Sequence, residues 1–359
     1  MRLRSAALQG LGLGVTAALL WWLARNTAIT LEQNGISLGF EFLRQPANFD
    51  IGDAPIAYSP ADSFLRAIGV GLLNTLRVSV VGWMLSIVLG FVLGILRLAD
   101  NPAVRGVARS VVELVRNVPL LLLLLFLAAT MHALPPARAA MEPVPNVFIS
   151  DRGLVMPGVG LTPTHWALGV AAVATIVLAA RRGGAWWLAV SACGMAFLGT
   201  LAGFPPTVDR PRLQGFNFIG GITLSPELTA LIAALTLHHA AHVSEVVRGA
   251  ILGVSPRQRD AAQALGLSRA QTLRFVVVPQ ALRAMVPLLA ANCVSLTKNS
   301  SLAVAIGFPD VVSILNTTAN QTGHTIETML IMIAVYLTLS LAVAAAMNAY
   351  NRRVLRPGV

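Results

Sequence analysis

The one lysine in this chain of 359 residues, Lys298, stands in the run Thr297-Lys298-Asn299-Ser300-Ser301 at the end of an apolar stretch. An ammonium group in such a place is costly in hydrocarbon, so it is put in a cavity or snorkels to an interface. With Asn299, Ser300 and Ser301 adding hydrogen-bonding groups and no further charge, Lys298 could receive a carboxylate. These four are the candidate binding residues, and the alternative for Lys298 is an interface anchor.

His238, His239 and His242 place two imidazoles four residues apart on an expected helix, without a third ligand nearby. Two ligands do not close a zinc site, so packing or pore lining is the reading and no metal is expected. Glu113, Arg116 and Glu245 fall near the ends of apolar stretches, and Glu245 and Arg248 are spaced for a helical ion pair. Their expected work is to orient and pack an inner gate. No Walker A motif can exist, since it needs a lysine after glycine and Lys298 follows Thr297. No His-Glu-x-x-His pattern occurs and no catalytic residue is expected.

The elements that position these residues are written in the composition. Hydrophobic residues make up 56% of the chain and charged residues 11%, with a mean hydropathy of +0.72, which no single soluble core explains. Apolar runs at Leu8–Ala24, Gly69–Leu96, Val111–Leu134, His165–Ala180, Ala185–Gly203, Ser225–Val247, Ala281–Leu296 and Ile326–Ala349 read as membrane helices. An all-α integral membrane protein with about eight transmembrane helices follows, its spans surrounded by membrane lipid. The first run follows Arg2 and Arg4 and is flanked by Trp21 and Trp22 without a small-residue cleavage site, which favours a retained anchor over a signal peptide.

The net charge of +11 comes from arginines lying between spans, as the positive-inside rule distributes them, so nucleic acid is not an expected partner. Placing the N-terminus inside puts Arg97, Arg105, Arg109, Arg116, the basic run from Arg248 to Arg283, Arg352 and Arg353 on the same side. A multi-pass protein of a bacterial inner membrane with both termini cytoplasmic is expected. The segments Asn26–Ser63 and Pro135–Pro163, rich in Pro, Gly and Asp, become periplasmic loops. Cys193 and Cys293 lie in apolar stretches and read as packing residues.

The polar stretch Arg248–Val278 on the inner side is punctuated as two short helices. Ser255, Pro256 and Gln258 have the spacing of a capping box with proline at the first helical position, and Gly266 stops that helix. Ser268 and Gln271 repeat the box and start a second helix, expected to run until Pro279. On the first helix Ala261, Ala262 and Leu265 are expected to share one face, the alanines allowing close approach by another surface.

Asp260-Ala261-Ala262, Gly266, Val276, Val278 and Pro279 resemble the EAA loop of ABC importer permeases, with Asp260 where the family usually has glutamate. Gly71-Leu72-Leu73-Asn74-Thr75-Leu76, Val112-Glu113-Leu114-Val115-Arg116-Asn117-Val118-Pro119 and Thr297-Lys298-Asn299-Ser300-Ser301-Leu302 resemble the polar amino-acid branch of that family. The enlarged middle of the chain is similar to permeases of general L-amino-acid importers.

The resemblance implies a subunit that imports L-amino acids without hydrolysing ATP itself. A sister permease, an ABC ATPase dimer that binds ATP and Mg, and a periplasmic amino-acid-binding protein are implied as partners. No cofactor is implied in this chain. Asp260, Ala261, Ala262, Leu265, Gly266 and Pro279 would form the coupling helix that docks on the ATPase, and Lys298 would meet the amino acid's carboxylate.

The expected domains are an anchor helix and periplasmic segment at 1–68, a transmembrane domain at 69–350 with a helical pair inserted at about 135–224, and a cytoplasmic tail at 351–359. A secondary transporter would need coupling-ion sites in broken midplane helices and would leave the inner helix pair without a role. A membrane enzyme would gather catalytic polar residues in one pocket, and no such cluster is legible.

Overall fold

A computed structural model describes residues 2–33, 39–160, Gly194 and 207–354. The expected spans His165–Ala180 and Ala185–Gly203, together with Cys193, fall outside the described residues, Gly194 alone excepted.

The first helix, α1 (Arg2–Gln33), contains the expected anchor within one continuous helix. Its Leu11, Leu13, Val15, Leu19, Leu20, Trp21 and Trp22 are exposed, as suits a surface made for lipid. Helix α2 (Phe64–Leu96) starts at Ser63, whose side chain accepts from the Arg66 amide. Helix α3 (Pro102–Asn117) starts at Asn101, whose Oδ1 accepts from Ala103 N at 2.9 Å. Helix α4 (Leu120–His132) follows at once, but the chain bends by 101° between the two. The expected span Val111–Leu134 thus consists of parts of two helices that meet at a bend. Pro119 has no amide hydrogen and drives Val118 out of the helical region, to ψ 126°.

Helix α5 (Pro226–Leu252) is capped by Ser225, whose Oγ accepts from Leu228 N. After it come the short helices α6 (Pro256–Ala264) and α7 (Arg269–Thr272), a π-helical turn Leu273–Val277, and α8 (Val278–Asn299). A 3₁₀ turn Ser300–Ile306 ends at Gly307, φ +76°, and α9 (Val311–Thr322) and α10 (Thr325–Val354) are the last described elements. The helix after Ser268 does not end at Pro279 as expected. The π turn lets Val278 N reach the Leu273 carbonyl, so Pro279 enters a first turn of α8 where no amide is needed.

Among the described residues, four helical stretches are long and apolar enough to cross a membrane: Phe64–Leu96, Pro226–Leu252, Arg269–Ile306 and Thr325–Ala349. The bent α3–α4 pair makes a fifth if counted as one span. The expected total of eight is not reached by these. The fold is mostly helical rather than all-α, because the segment read as loop and inserted helices carries eight short strands among its described residues. Strands β1 (Met141–Val144), β2 (Val147–Ser150), β3 (Gly153–Met156) and β8 (Ile222–Leu224) form an antiparallel sheet in that order. Strand β4 (Gly158–Gly160) pairs with β5 (Thr207–Asp209), and β6 (Arg212–Gln214) with β7 (Asn217–Ile219).

At one end helices α2 and α5 approach closely, because glycines of α2 face valine side chains of α5. A Cβ on Gly90 would stand 2.5 Å from Val243, and one on Gly94 2.8 Å from Val247; small residues let helix backbones approach this closely in a membrane. Two polar levels bracket the pair. At the strand-bearing end Asp53 accepts from Arg77 at 3.1 Å and from Ser225 Oγ at 2.9 Å. At the other end Glu245 accepts from Arg97 at 2.7 Å. Arg97 follows Arg77 by 20 residues, as Glu245 follows Ser225, and at 1.5 Å per residue both intervals are about 30 Å, the thickness of hydrocarbon.

Candidate functional site

Beyond the Glu245 level the chain leaves α5 and builds the helix pair. Ser255 caps α6 through its carbonyl, which accepts from Gln258 N at 3.0 Å, and its side chain makes no capping bond. The first capping box is thus corrected: the Gln258 amide that the Ser255 hydroxyl would satisfy donates to the Ser255 carbonyl instead. The second box forms: Gln271 N donates to Ser268 Oγ and Ser268 N to Gln271 Oε1. Between them Gly266 adopts φ +81°. Gly266 N donates to Gln263 O and Leu267 N to Ala262 O, the pair of bonds that closes a Schellman turn.

Ala261, Ala262 and Leu265 do not share a face as expected. Ala262 is buried, whereas Asp260, Ala261 and Leu265 are exposed, Leu265 at 83%; Ala262 sits 100° around the helix from Ala261. An inward residue therefore seats α6, and its outward residues stand free. Arg259 donates to Ile251 O at 2.7 Å and ties α6 back to α5. Val254 and Val277 pack with Val243, Val247, Ala281 and Met285 in one core, fixing the pair to α5 and α8. Leu252, Leu273 and Phe275, which flank the pair in sequence, are exposed as well.

The second group, Lys298 to Ser301, points in different directions. Lys298 is exposed, makes no ion pair among the described residues, and with Ser301 lines a cavity of about 540 Å³ shared with Val312, Met332, Tyr336 and Ser340. Asn299 turns the other way, its Nδ2 lying 3.2 Å from His239 Nε2. Ser300 is buried, with its hydroxyl on the Thr297 carbonyl. His239 Nδ1 lies 3.2 Å from Asn292 Oδ1, so an imidazole protonated on Nδ1 donates to Asn292 and accepts from Asn299. His238 stands edge on to both His239 and His242, with ring centroids 5.4 and 4.9 Å away. No group of three metal-ligating side chains occurs among the described residues.

Glu245 is the centre of a cluster the sequence showed only in part. Besides Arg97 and the expected Arg248 at 3.1 Å, it accepts from Arg116 of α3 at 2.9 Å. Arg97 is buried and also reaches Ser244 Oγ. A basic residue closing an apolar span was the available signal for Arg97. Asn292 and Tyr336 carried none, since each sits singly within an apolar run.

The segment Gly71–Leu76 has a structural job. Gly71 lies against Val311 and the Asp310 carbonyl, where a Cβ would come within 3.0 Å. Asn74 Nδ2 donates to the carbonyls of Asp53 and Pro309, and Thr75 Oγ1 accepts from Val311 N. These bonds hold the start of α9 against α2.

Residues 86–356 match the family described as binding-protein-dependent transport system inner membrane component. The general L-amino acid transport system permease protein AapQ of Rhizobium johnstonii is 38% identical, over 98% of this chain and 92% of that protein. The putative amino-acid ABC transporter permease protein YhdX of Escherichia coli is 39% identical, over 98% and 94%. Among solved structures, an amino acid ABC transporter with histidines aligns with a TM-score of 0.51 at 19% identity, over 81% of this chain and 95% of that chain. At that identity the likeness speaks for the fold.

Proposed function

This chain belongs to the family of binding-protein-dependent transport system inner membrane components, and we propose that it is the permease subunit of an importer that takes up L-amino acids. The likeness to AapQ along almost the whole chain carries this reading. A separate ATPase dimer binds ATP and Mg, a sister permease completes the pathway, and a periplasmic binding protein delivers the amino acid. Helix α6 is the coupling helix, with Asp260, Ala261 and Leu265 turned to the ATPase, Ala262 seating the helix, Gly266 turning the chain and Pro279 opening α8. The strand-bearing end is periplasmic and both termini are cytoplasmic. The chain is organised as an anchor segment at 1–68, a transmembrane domain at 69–350 with the insertion 135–224, and a tail.

Lys298 and Ser301 face the cavity beside Tyr336 and receive the carboxylate there, while Asn299 and Ser300 hold the neighbouring backbone and His239 in place. A secondary transporter would leave the exposed α6 and its Schellman turn without a task.

The test is uptake by proteoliposomes holding this chain with its co-purifying subunits. Labelled amino acids should enter only with ATP on the ATPase side and binding protein on the other. Uptake driven by an ion gradient without ATP would overturn the reading.

A further inference from the structure

Helix α3 has three faces. Ala108 and Val112 are buried. To one side of them runs an exposed apolar stripe of Val104, Val107, Val111 and Leu114, 39%, 66%, 43% and 67% accessible. To the other side are Arg105, Arg109, Glu113 and Arg116, all exposed. A helix with protein on one flank, an uncovered apolar stripe on the second and charge on the third fits a water–hydrocarbon boundary, with its axis in the membrane plane.

Two further observations set α3 at that boundary. The 101° bend at Pro119 turns it away from the apolar α4. Arg116 joins Glu245 together with Arg97, at the polar level about 30 Å along α2 and α5 from the Asp53 level. The charge there is unbalanced. Arg97, Arg105, Arg109, Arg116 and Arg248 stand against Asp100, Glu113 and Glu245. Arg109 pairs with Glu113 at 2.7 Å, both exposed. Arg105 spends its guanidinium on the Ala99 carbonyl and makes no ion pair among the described residues.

We infer that α3 is an in-plane helix that sinks Val104, Val107, Val111 and Leu114 into the cytoplasmic leaflet and recruits anionic phospholipid headgroups with Arg105 and Arg109. The inference rests on the proposed orientation but not on the substrate. An anionic headgroup beside the stripe satisfies the surplus cations while its acyl chains cover the valines. A protein partner would cover the stripe and leave the surplus charge unmatched.

The full chain, with Cys193 and Cys293 replaced by alanine, is assembled with its co-purifying subunits in vesicles of phosphatidylethanolamine and phosphatidylglycerol. A nitroxide placed at Val107 should be reached by oxygen and not by an aqueous nickel chelate, and one placed at Arg109 should show the reverse. A Val107 label shielded from both reagents means that another subunit covers the stripe, and one open to nickel means that it faces water; either result overturns the inference. The second measurement is the preference of the assembled chain for spin-labelled phosphatidylglycerol over phosphatidylcholine. Arg105→Gln and Arg109→Gln should each reduce it by up to about five-fold, Lys at both positions should restore it, and Glu113→Gln, which frees Arg109, should raise it. A preference unchanged in Arg105→Gln/Arg109→Gln would overturn the lipid assignment while leaving transport of amino acids untouched as a separate question.

Discussion

At the residue scale the sharpest question is Lys298. It is exposed beside a cavity lined by Ser301, Tyr336 and Ser340, and no carboxylate among the described residues pairs with it. A charge-assisted hydrogen bond to a ligand carboxylate is worth about 1.5–3 kcal/mol, so Lys298→Met should weaken the membrane site for substrate roughly 10- to 150-fold. The readout is the concentration dependence of uptake by the assembled complex, with the binding protein's own affinity as the unaffected control. Uptake at wild-type rates across all concentrations would make Lys298 an interface anchor. Residue type and rarity made Lys298 legible in the sequence, and helical spacing did the same for the Glu245–Arg248 pair. What could not be read was direction: four consecutive polar residues on a helix end spread around its axis, so Asn299 faces His239 while Lys298 faces α10. Arg97 and Arg116 come to Glu245 from 148 and 129 residues away, distances that no local pattern reports.

At the scale of elements, the helix pair was legible because glycine and capping residues act through local backbone bonds. Gly266 and the Ser268–Gln271 box fall where they were expected. Ser255 did not follow its pattern, because capping depends on a rotamer that the motif does not fix. The break between α3 and α4 was hidden by the leucine run after Pro119, which hydropathy alone joins to Val111–Val118, although the proline itself was a fair signal. Gly266→Val tests the coupling element. A β-branched residue at φ +81° costs about 1–3 kcal/mol locally, and relief of that strain would unwind the Schellman turn and displace Asp260 and Leu265. Nothing else lies within 4 Å of a Cβ there, so the substitution meets no packing obstacle and its effect is on backbone geometry. ATPase association, or ATP hydrolysis stimulated by the loaded binding protein, should fall while the chain still inserts. Wild-type stimulation in this variant would remove α6 from the coupling path.

For the whole molecule, composition gave the class and arginine placement gave an orientation, but the short strands of the insertion escaped notice. Their three or four residues each, interrupted by Gly and Pro, carry too little alternation to register as strands. They gather at the level of Asp53 and Ser225, whereas α6 begins 11 residues beyond Glu245 on the far side of the bilayer interval. On the proposed topology the two ends lie in different compartments, which a thiol reagent that cannot cross the membrane will separate. Asn146 would be a poor reporter, since its φ of +64° would strain a cysteine. Gln214 on β6 and Gln258 on α6 are both exposed without that strain. With Cys193 and Cys293 replaced by serine, Gln214→Cys should react in intact cells with a permeabilised outer envelope, and Gln258→Cys should react only after the inner membrane is opened. Labelling in the opposite order would invert the chain and take α6 away from a cytoplasmic ATPase. Labelling of both in intact cells would mean that the roughly 30 Å between the Asp53 and Glu245 levels is not the bilayer interval.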